Sequence, residues 1–304
     1  MRLAALSVDI DEIPCYAAIH DLSVSKGSEH AIYDRALPRL SRLFSECQVP
    51  ATFFAIGSDL SRSENRASLK ALHAQGHEIA SHSQSHLYDL TRRDDATIER
   101  EIVRAEEAIE AAVGQKPVGF RAPGYTITDQ VLGHLRERGY AYDSSVFPCP
   151  AYFGLKVAAI SAISLRGRAS KSVIDDPRVL TAPADPYRIG TPYTRRGAGL
   201  LELPIGVTRG ARLPYIGTSI TMGGALAARA LTGAIVGRPL VNLELHGIDL
   251  SDATEDGLGW LAPHQLDLKR SAARKEEALR AAIETLRAAG YAFVTLAEAA
   301  RAFS

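Results

Sequence analysis

Short β-forming runs alternate with helical stretches along almost the whole chain, and this rhythm constrains the fold more than any other feature. "RLAALSVDI" reads as a strand, and "AIYDRALPRLSRLFSEC" as an amphipathic helix with Leu37, Leu40, Leu43 and Phe44 at helical spacing. "ATFFAIG" is a strand, "RASLKALHAQG" a helix closed by Gly76, and "HEIASH" a strand. The pattern continues through "DATIEREIVRAEEAIEAAVG", "VGFRAP", "TDQVLGHLRERG", "YAYDSSV", "LLELPIGV", "PLVNLELHG", "RKEEALRAAIETLRAAG" and "YAFVTL". About seven strand–helix units in this order specify an α/β fold with parallel strands, closed or nearly closed into a barrel. We expect one domain over residues 1–304. The rhythm breaks at residues 148–199, a Pro-, Gly-, Arg- and Tyr-rich stretch expected to be an insertion over one end of the barrel.

Composition narrows the partners. Lysine plus arginine number 35, and aspartate plus glutamate also number 35, so no net field favours nucleic acid. Three separated cysteines, Cys15, Cys47 and Cys149, form no CxxC pair and suit a reducing compartment. The start, "MRLAALSVDIDE", reads as a first strand rather than a leader, and "GGALAARALTGAIVG" is interrupted by Arg229, so no transmembrane segment is expected. The expectation is a cytoplasmic protein, with homo-oligomer formation left open.

Four places carry groups able to do chemistry. In "SVDIDE", strand alternation puts Ser7, Asp9 and Asp11 on one face; two buried carboxylates there need a cation, a hydrogen-bond network or water. In "SHSQSH", one helical turn would bring His82 and His86 to one side, and two imidazoles with one carboxylate make an open three-ligand metal site. Surface histidines without a metal are the plain alternative. His77, on the other strand parity, reads as structural. In "GFRAPGY", Arg121 at a strand end either makes a rim ion pair or holds a carboxylate ionised. In "NLELHGIDL", Asn242, Glu244 and His246 share a face, and His246 is either a general acid or a satisfied half-buried histidine. All four lie at the ends of parallel strands, where such barrels assemble their sites.

Taken together, "SVDID", "SHSQSH", "RAPGY" and "LELH" resemble the polysaccharide deacetylase family, also called carbohydrate esterase family 4 or the NodB homology domain. The two aspartates, separated by Ile10 rather than adjacent, are similar to those of an intracellular, peptidoglycan-deacetylase-like subgroup. The resemblance implies a distorted (β/α) barrel of fewer than eight repeats and zinc-dependent removal of an N-acyl group from a sugar; another divalent metal could serve. It implies Asp9 as general base, Asp11, His82 and His86 as metal ligands, Arg121 orienting Asp9, and His246 as general acid. It further implies an oxyanion donor at the backbone N–H near Tyr125, and Leu243 or Leu245 against the acyl methyl. The acid supporting His246 or Arg121 is left between Asp143 and Asp175.

The expected substrate is an N-acetylated amino sugar or glycan, polymeric or lipid-linked. Three other readings stand beside it: a deformylase of a lipid-linked formamido sugar, a metal-free cyclic amide hydrolase, and a non-catalytic carbohydrate-binding protein. Retention of Asp11, His82 and His86 speaks against the second, and retention of Asp9 and His246 against the third. Within the insertion, Tyr152, Phe153, Tyr187 and Tyr193, with Arg166, Arg168, Lys171, Arg188, Arg195 and Arg196, are expected to wall the groove and read the substrate. Aromatics packed beneath a solvated loop are the alternative.

Overall fold

The computed structural model describes residues 2–165, 167 and 170–304. Its elements follow in chain order. Strand β1 is Leu3–Asp9, α1 Ile13–Ile19, α2 Leu37–Cys47, β2 Thr52–Ala55, α3 Ser63–Ala74, β3 Glu78–Ser81 and α4 Asp95–Val113. Then come β4 Gly119–Phe120, α5 Asp129–Glu137, β5 Tyr142–Asp143, α6 Pro150–Leu165, β6 Tyr187–Ile189 and β7 Arg196–Glu202. Helix α7 Gly217–Ile235, β8 Leu240–His246, α8 Ala272–Ala288, β9 Ala292–Phe293 and α9 Leu296–Phe303 complete the chain. The helix ends obey local chemistry. Asp94 caps α4 by accepting from Thr97 N, and Gly114 ends that helix at φ 78°, a left-handed value that glycine adopts without strain.

The sheet runs β6-β7-β5-β4-β3-β2-β1-β8, with β9 against the start of β1. From β7 to β8 its seven strands are parallel; only β6, at the edge, is antiparallel. This is the expected α/β architecture, a curled, mostly parallel sheet. Its two ends meet just beyond β7, where Gly206 N donates to Asn242 O at 2.9 Å and Ile216 forms an isolated bridge with Glu244. No regular ladder closes the barrel there, which is the distortion.

Strand alternation sorts the side chains. Ala4, Leu6, Val8, Leu243 and Leu245 face outward and join Leu40, Phe44, Leu279 and Ile283 of α2 and α8 in the main core. Leu3, Ala5, Phe54, Tyr142, Leu201 and Leu240 face inward and are plugged from below by Leu296 of α9. His77 is structural, as its parity implied. Its Nδ1 accepts from Ala51 N at 3.1 Å, and its ring packs edge-on against Phe53.

The insertion departs from expectation. It contains the 16-residue helix α6, whose sequence "PAYFGLKVAAISAISL" shows no apolar stripe and so gave no helical signal. It also contains the β6–β7 hairpin. Arg195 and Arg196 lie in that hairpin, exposed, at the start of β7. Glu202, at the other end of β7, pairs with Asp143, so the two arginines lie roughly 20 Å from the strand ends that carry the site. They do not wall the groove. Tyr187 and Tyr193 are buried and joined by a Tyr187 OH to Tyr193 O bond of 2.9 Å, and Arg188 donates to Gly199 O at 3.3 Å. Arg166 and Arg168 lie outside the described residues.

Candidate metal centre and acid–base pair

The inward face of the sheet changes from apolar to polar on moving up the strands. Above Leu3 and Ala5 comes Ser7, whose Oγ donates to Asn242 Oδ1 at 2.8 Å. Asn242 Nδ2 donates in turn to Ser144 Oγ at 3.0 Å, with Leu203 O and Pro204 O at 3.3 Å. On this floor lies Arg121, fully buried. Its Nε donates to Ser144 O at 2.8 Å, Nη2 to Ser7 Oγ at 2.8 Å and Ser144 Oγ at 2.9 Å, and Nη1 to Asp9 Oδ1 at 2.7 Å. The guanidinium carbon stands 4.2 Å from the centre of the Phe54 ring. Strands β1, β4, β5 and β8 thus fix one carboxylate oxygen of Asp9. Breaking such a buried pair from one side typically costs about 3–5 kcal/mol.

The metal-type trio sits above. The chain leaves β3 at His82 and turns through two left-handed residues, Ser83 at φ 65° and His86 at φ 51°. No helical turn forms between the histidines, contrary to expectation; the left-handed loop does the work of bringing the rings to 4.8 Å between centroids. His82 Nε2 is 3.4 Å from Asp11 Oδ1, and His86 Nε2 is 3.2 Å from Asp11 Oδ2. His82 Nδ1 lies 2.7 Å from Arg121 O, a bond in which the N–H donates and which leaves Nε2 free to ligate. The trio's ligand atoms all lie within 4.8 Å of one another, and all three residues are buried. Burial works to raise the Asp11 carboxyl, but His86 and His82 outweigh it and hold it well below the ordinary carboxylate range. His82 shows the reciprocal effect. Burial opposes its protonation, yet Asp9 and Asp11 raise it.

Opposite stands the β8 pair. His246 Nδ1 is 2.9 Å from Glu244 Oε1, and the His246 backbone N–H donates to Asp249 Oδ2 at 2.8 Å. Burial alone would push the imidazole down, but Glu244 first, then Asp9 and Asp11, raise it well above its ordinary range. Asp9, Glu244 and His246 form a second tight cluster. Its Asp9 is already committed to Arg121, so the Asp11 trio is the better cation site.

Beside His246, then, stands Glu244 and neither Asp143 nor Asp175. Asp143 accepts from Ser145 N and Oγ at 3.1 and 2.8 Å, and Ser145 Oγ accepts from Ala122 N; Asp143 thus braces the segment after Arg121 and does not touch His246. Burial pushes the Asp175 carboxyl up to about 7 against the opposing charge of Lys156, and no hydrogen bond or ion pair joins it to His246 or Arg121. The face shared by Asn242, Glu244 and His246 was the signal for Glu244.

Two further expectations change. Leu245 is fully buried in the outer core with Leu243, where a Cβ on Gly217 would come within 2.9 Å of Leu245 Cδ2. Strand parity turns both leucines away from the site, so neither meets an acyl methyl there. The Tyr125 N–H donates to Ala122 O at 3.1 Å, while the Tyr125 hydroxyl lies 3.5 Å from both His246 ring nitrogens. Tyr152, expected on the groove wall, and Lys156, which the sequence did not single out, complete the rim. Tyr152 of α6 packs against Tyr125 and Phe147, and Lys156 Nζ donates to Gly124 O at 2.8 Å.

Comparison with known proteins bears on this arrangement. The polysaccharide deacetylase family model matches residues 28–142, a span that contains His82, His86, Arg121 and Tyr125. Over that segment the chain is similar to the polysaccharide deacetylases. A peptidoglycan-N-acetylglucosamine deacetylase of Bacillus cereus is 34% identical over 103 residues, covering 34% of this chain and 46% of that protein. A chitooligosaccharide deacetylase of Sinorhizobium fredii is 35% identical over 106 residues, covering 34% and 47%. The chain thus spans under half the length of these curated relatives. Among solved structures, a candidate polysaccharide deacetylase from Mycobacterium smegmatis superposes with TM-score 0.64 at 21% identity, over 99% of this chain and 89% of that one. A family 4 acetyl xylan esterase from Clostridium thermocellum in complex with a cobalt ion gives TM-score 0.51 at 17% identity, over 98% and 89%. These two likenesses show a shared fold. Asp9, Asp11, Glu244 and His246 fall outside the matched family segment, so their case rests on geometry.

Proposed function

We propose that this chain is a metal-dependent hydrolase that removes the N-acetyl group from an amino sugar or glycan, with zinc as its metal. The observation that carries the reading is the meeting of a buried Asp11–His82–His86 trio with two paired groups, Asp9 beside Arg121 and His246 beside Glu244. The trio fits a divalent cation by its donor set, one carboxylate and two imidazoles, and by its polar atoms. Asp11 Oδ1 and both ring nitrogens of His86 are buried without a protein hydrogen bond. The likeness to a peptidoglycan-N-acetylglucosamine deacetylase and a chitooligosaccharide deacetylase supports a glycan substrate. The spacing of Asp9 and Asp11 favours the intracellular, peptidoglycan-deacetylase-like subgroup, and three free cysteines suit a cytoplasmic location.

When bound, the metal would polarise the amide carbonyl and acidify water in its open position. The chain's own residues do the rest. Arg121 fixes one oxygen of Asp9, leaving Asp9 Oδ2 directed at the site without a hydrogen bond, placed to take a proton from the attacking water. Glu244 Oε1, 2.9 Å from Nδ1, supplies the negative charge that stabilises the His246 imidazolium, and the proton on Nε2 is proposed as the one given to the departing amine. The raised affinity of His246 for its proton keeps it an acid at neutral pH. The test is acid release from a panel of N-acetylated and N-formylated amino sugars and glycans with metal-replete protein. Acetate release supports the reading, formate alone transfers it to the deformylase, and release of neither from any member overturns it.

A further inference from the structure

Beside His86 the surface opens into a groove of about 560 Å³ that also takes in Cys15, Leu87 and Tyr88. Its walls carry Arg92, Arg93 and Lys171 against a single carboxylate, Asp89. Arg93 is neutralised, because its Nη2 lies 2.8 Å from Asp89 Oδ2 and its Nε donates to Asp89 Oδ1 at 3.1 Å. Arg92 and Lys171 are exposed, and among the described residues neither forms an ion pair. Arg92 also borders a hollow containing Asp175 and Asp176, but Asp176 is engaged by Arg178, and the cation that acts on the buried Asp175 is Lys156. The groove thus has an excess of two cations in a chain whose total charge is balanced. Pro14, Leu87 and Val173 supply apolar wall between them.

We infer that this groove selects sugar chains bearing an anionic substituent, a carboxylate or a phosphate, and seats that substituent against Arg92 and Lys171. The inference rests on the glycan-hydrolase reading and adds the substrate's charge to it. His86 is a proposed ligand and lines the groove, so a sugar whose acyl group reaches the trio continues along this wall. A neutral sugar would leave two cations desolvated without a partner, whereas an anion pairs with both, the guanidinium in a fork and the ammonium as a point charge. Part-exposed pairs of this kind act through specificity and salt-sensitive association more than through raw affinity.

The test compares one N-acetylated oligomer in three forms of equal length: neutral, carboxylated and phosphorylated. The wild-type protein should favour at least one anionic form over the neutral form in kcat/KM, by about tenfold at low salt, with the preference shrinking as salt rises. In Arg92→Ala plus Lys171→Ala that ratio should fall towards one, and Arg92→Lys plus Lys171→Arg should keep most of it. Which anionic form is preferred identifies the substituent. Equilibrium binding of the same oligomers to the Asp9→Asn protein gives a readout independent of turnover. Equal binding of all three oligomers, or an unchanged ratio in the alanine variant, overturns the inference even if acetate is released. A binding preference that is lost in the alanine variant upholds it even if no oligomer is hydrolysed, in which case the hydrolase reading is what fails.

Discussion

Acidic groups lie at both ends of the barrel interior, and the two ends treat them oppositely. At the lower end Glu78 accepts from Thr52 Oγ1, Tyr142 OH and Ala297 N, each at 2.8 Å, and Thr52 Oγ1 also accepts from Leu296 N at 2.8 Å. The acid pins α9 across the barrel floor, with donors for both of its oxygens. At the upper end Asp9 Oδ2, Asp11 Oδ1 and both nitrogens of His86 are buried without a protein hydrogen bond. Such groups cost about 1–3 kcal/mol each when left unsatisfied. A fold bears that cost where a ligand or substrate completes the set. Hydrogen-bond partners distinguish Glu78 from Asp9 and Asp11.

The largest expected effect falls on the upper end. Asp9→Asn should lower turnover by about 10²-fold or more while metal content, measured on the same preparation, stays near wild type. Loss of metal from Asp9→Asn with retention in Asp11→Asn would exchange the two roles. A smaller effect is expected for Glu244→Gln. Glu244 raises the His246 pKa, and the acid works only while protonated, so activity is present at low pH and lost as pH rises through that pKa. Removing the negative charge lowers the pKa, and the alkaline limb of the kcat profile should move to lower pH. An unmoved limb would detach Glu244 from His246. Glu78→Ala should leave turnover per folded molecule intact and cost about 1 kcal/mol or somewhat more in denaturant unfolding, the scale of a lost buried hydrogen-bond set. If turnover fell instead, the division between the two ends would break.

Much of this was legible in the chain. Strand parity alone grouped Ser7, Asp9 and Asp11, and Asn242, Glu244 and His246, because a period of two needs no tertiary information. The same parity excludes Leu245, so the acyl-pocket role suggested by family likeness fails against local geometry. The meeting of His82 with His86 was foreseen, but not its means. Left-handed values at Ser83 and His86 are imposed by the surrounding site, and neither residue type signals them. Helix α6 was hidden because it lacks an apolar stripe, and with it Lys156 escaped notice, whereas Tyr152 was singled out for its aromatic ring alone. Arg195 and Arg196 looked functional because charge near aromatics says nothing about which end of a strand bears them. The Asp9–Arg121 pair spans 112 positions, and only the fold brings it together.

The central claim is that Asp11, His82 and His86 hold a divalent cation. Elemental analysis of the purified protein beside His82→Ala plus His86→Ala, with circular dichroism confirming that both are folded, tests it most directly. The account predicts about one divalent ion per chain, chiefly zinc, in the wild type and close to none in the double variant. Equal metal content in the two, or a metal-free wild type that stays metal-free after incubation with zinc, would contradict it.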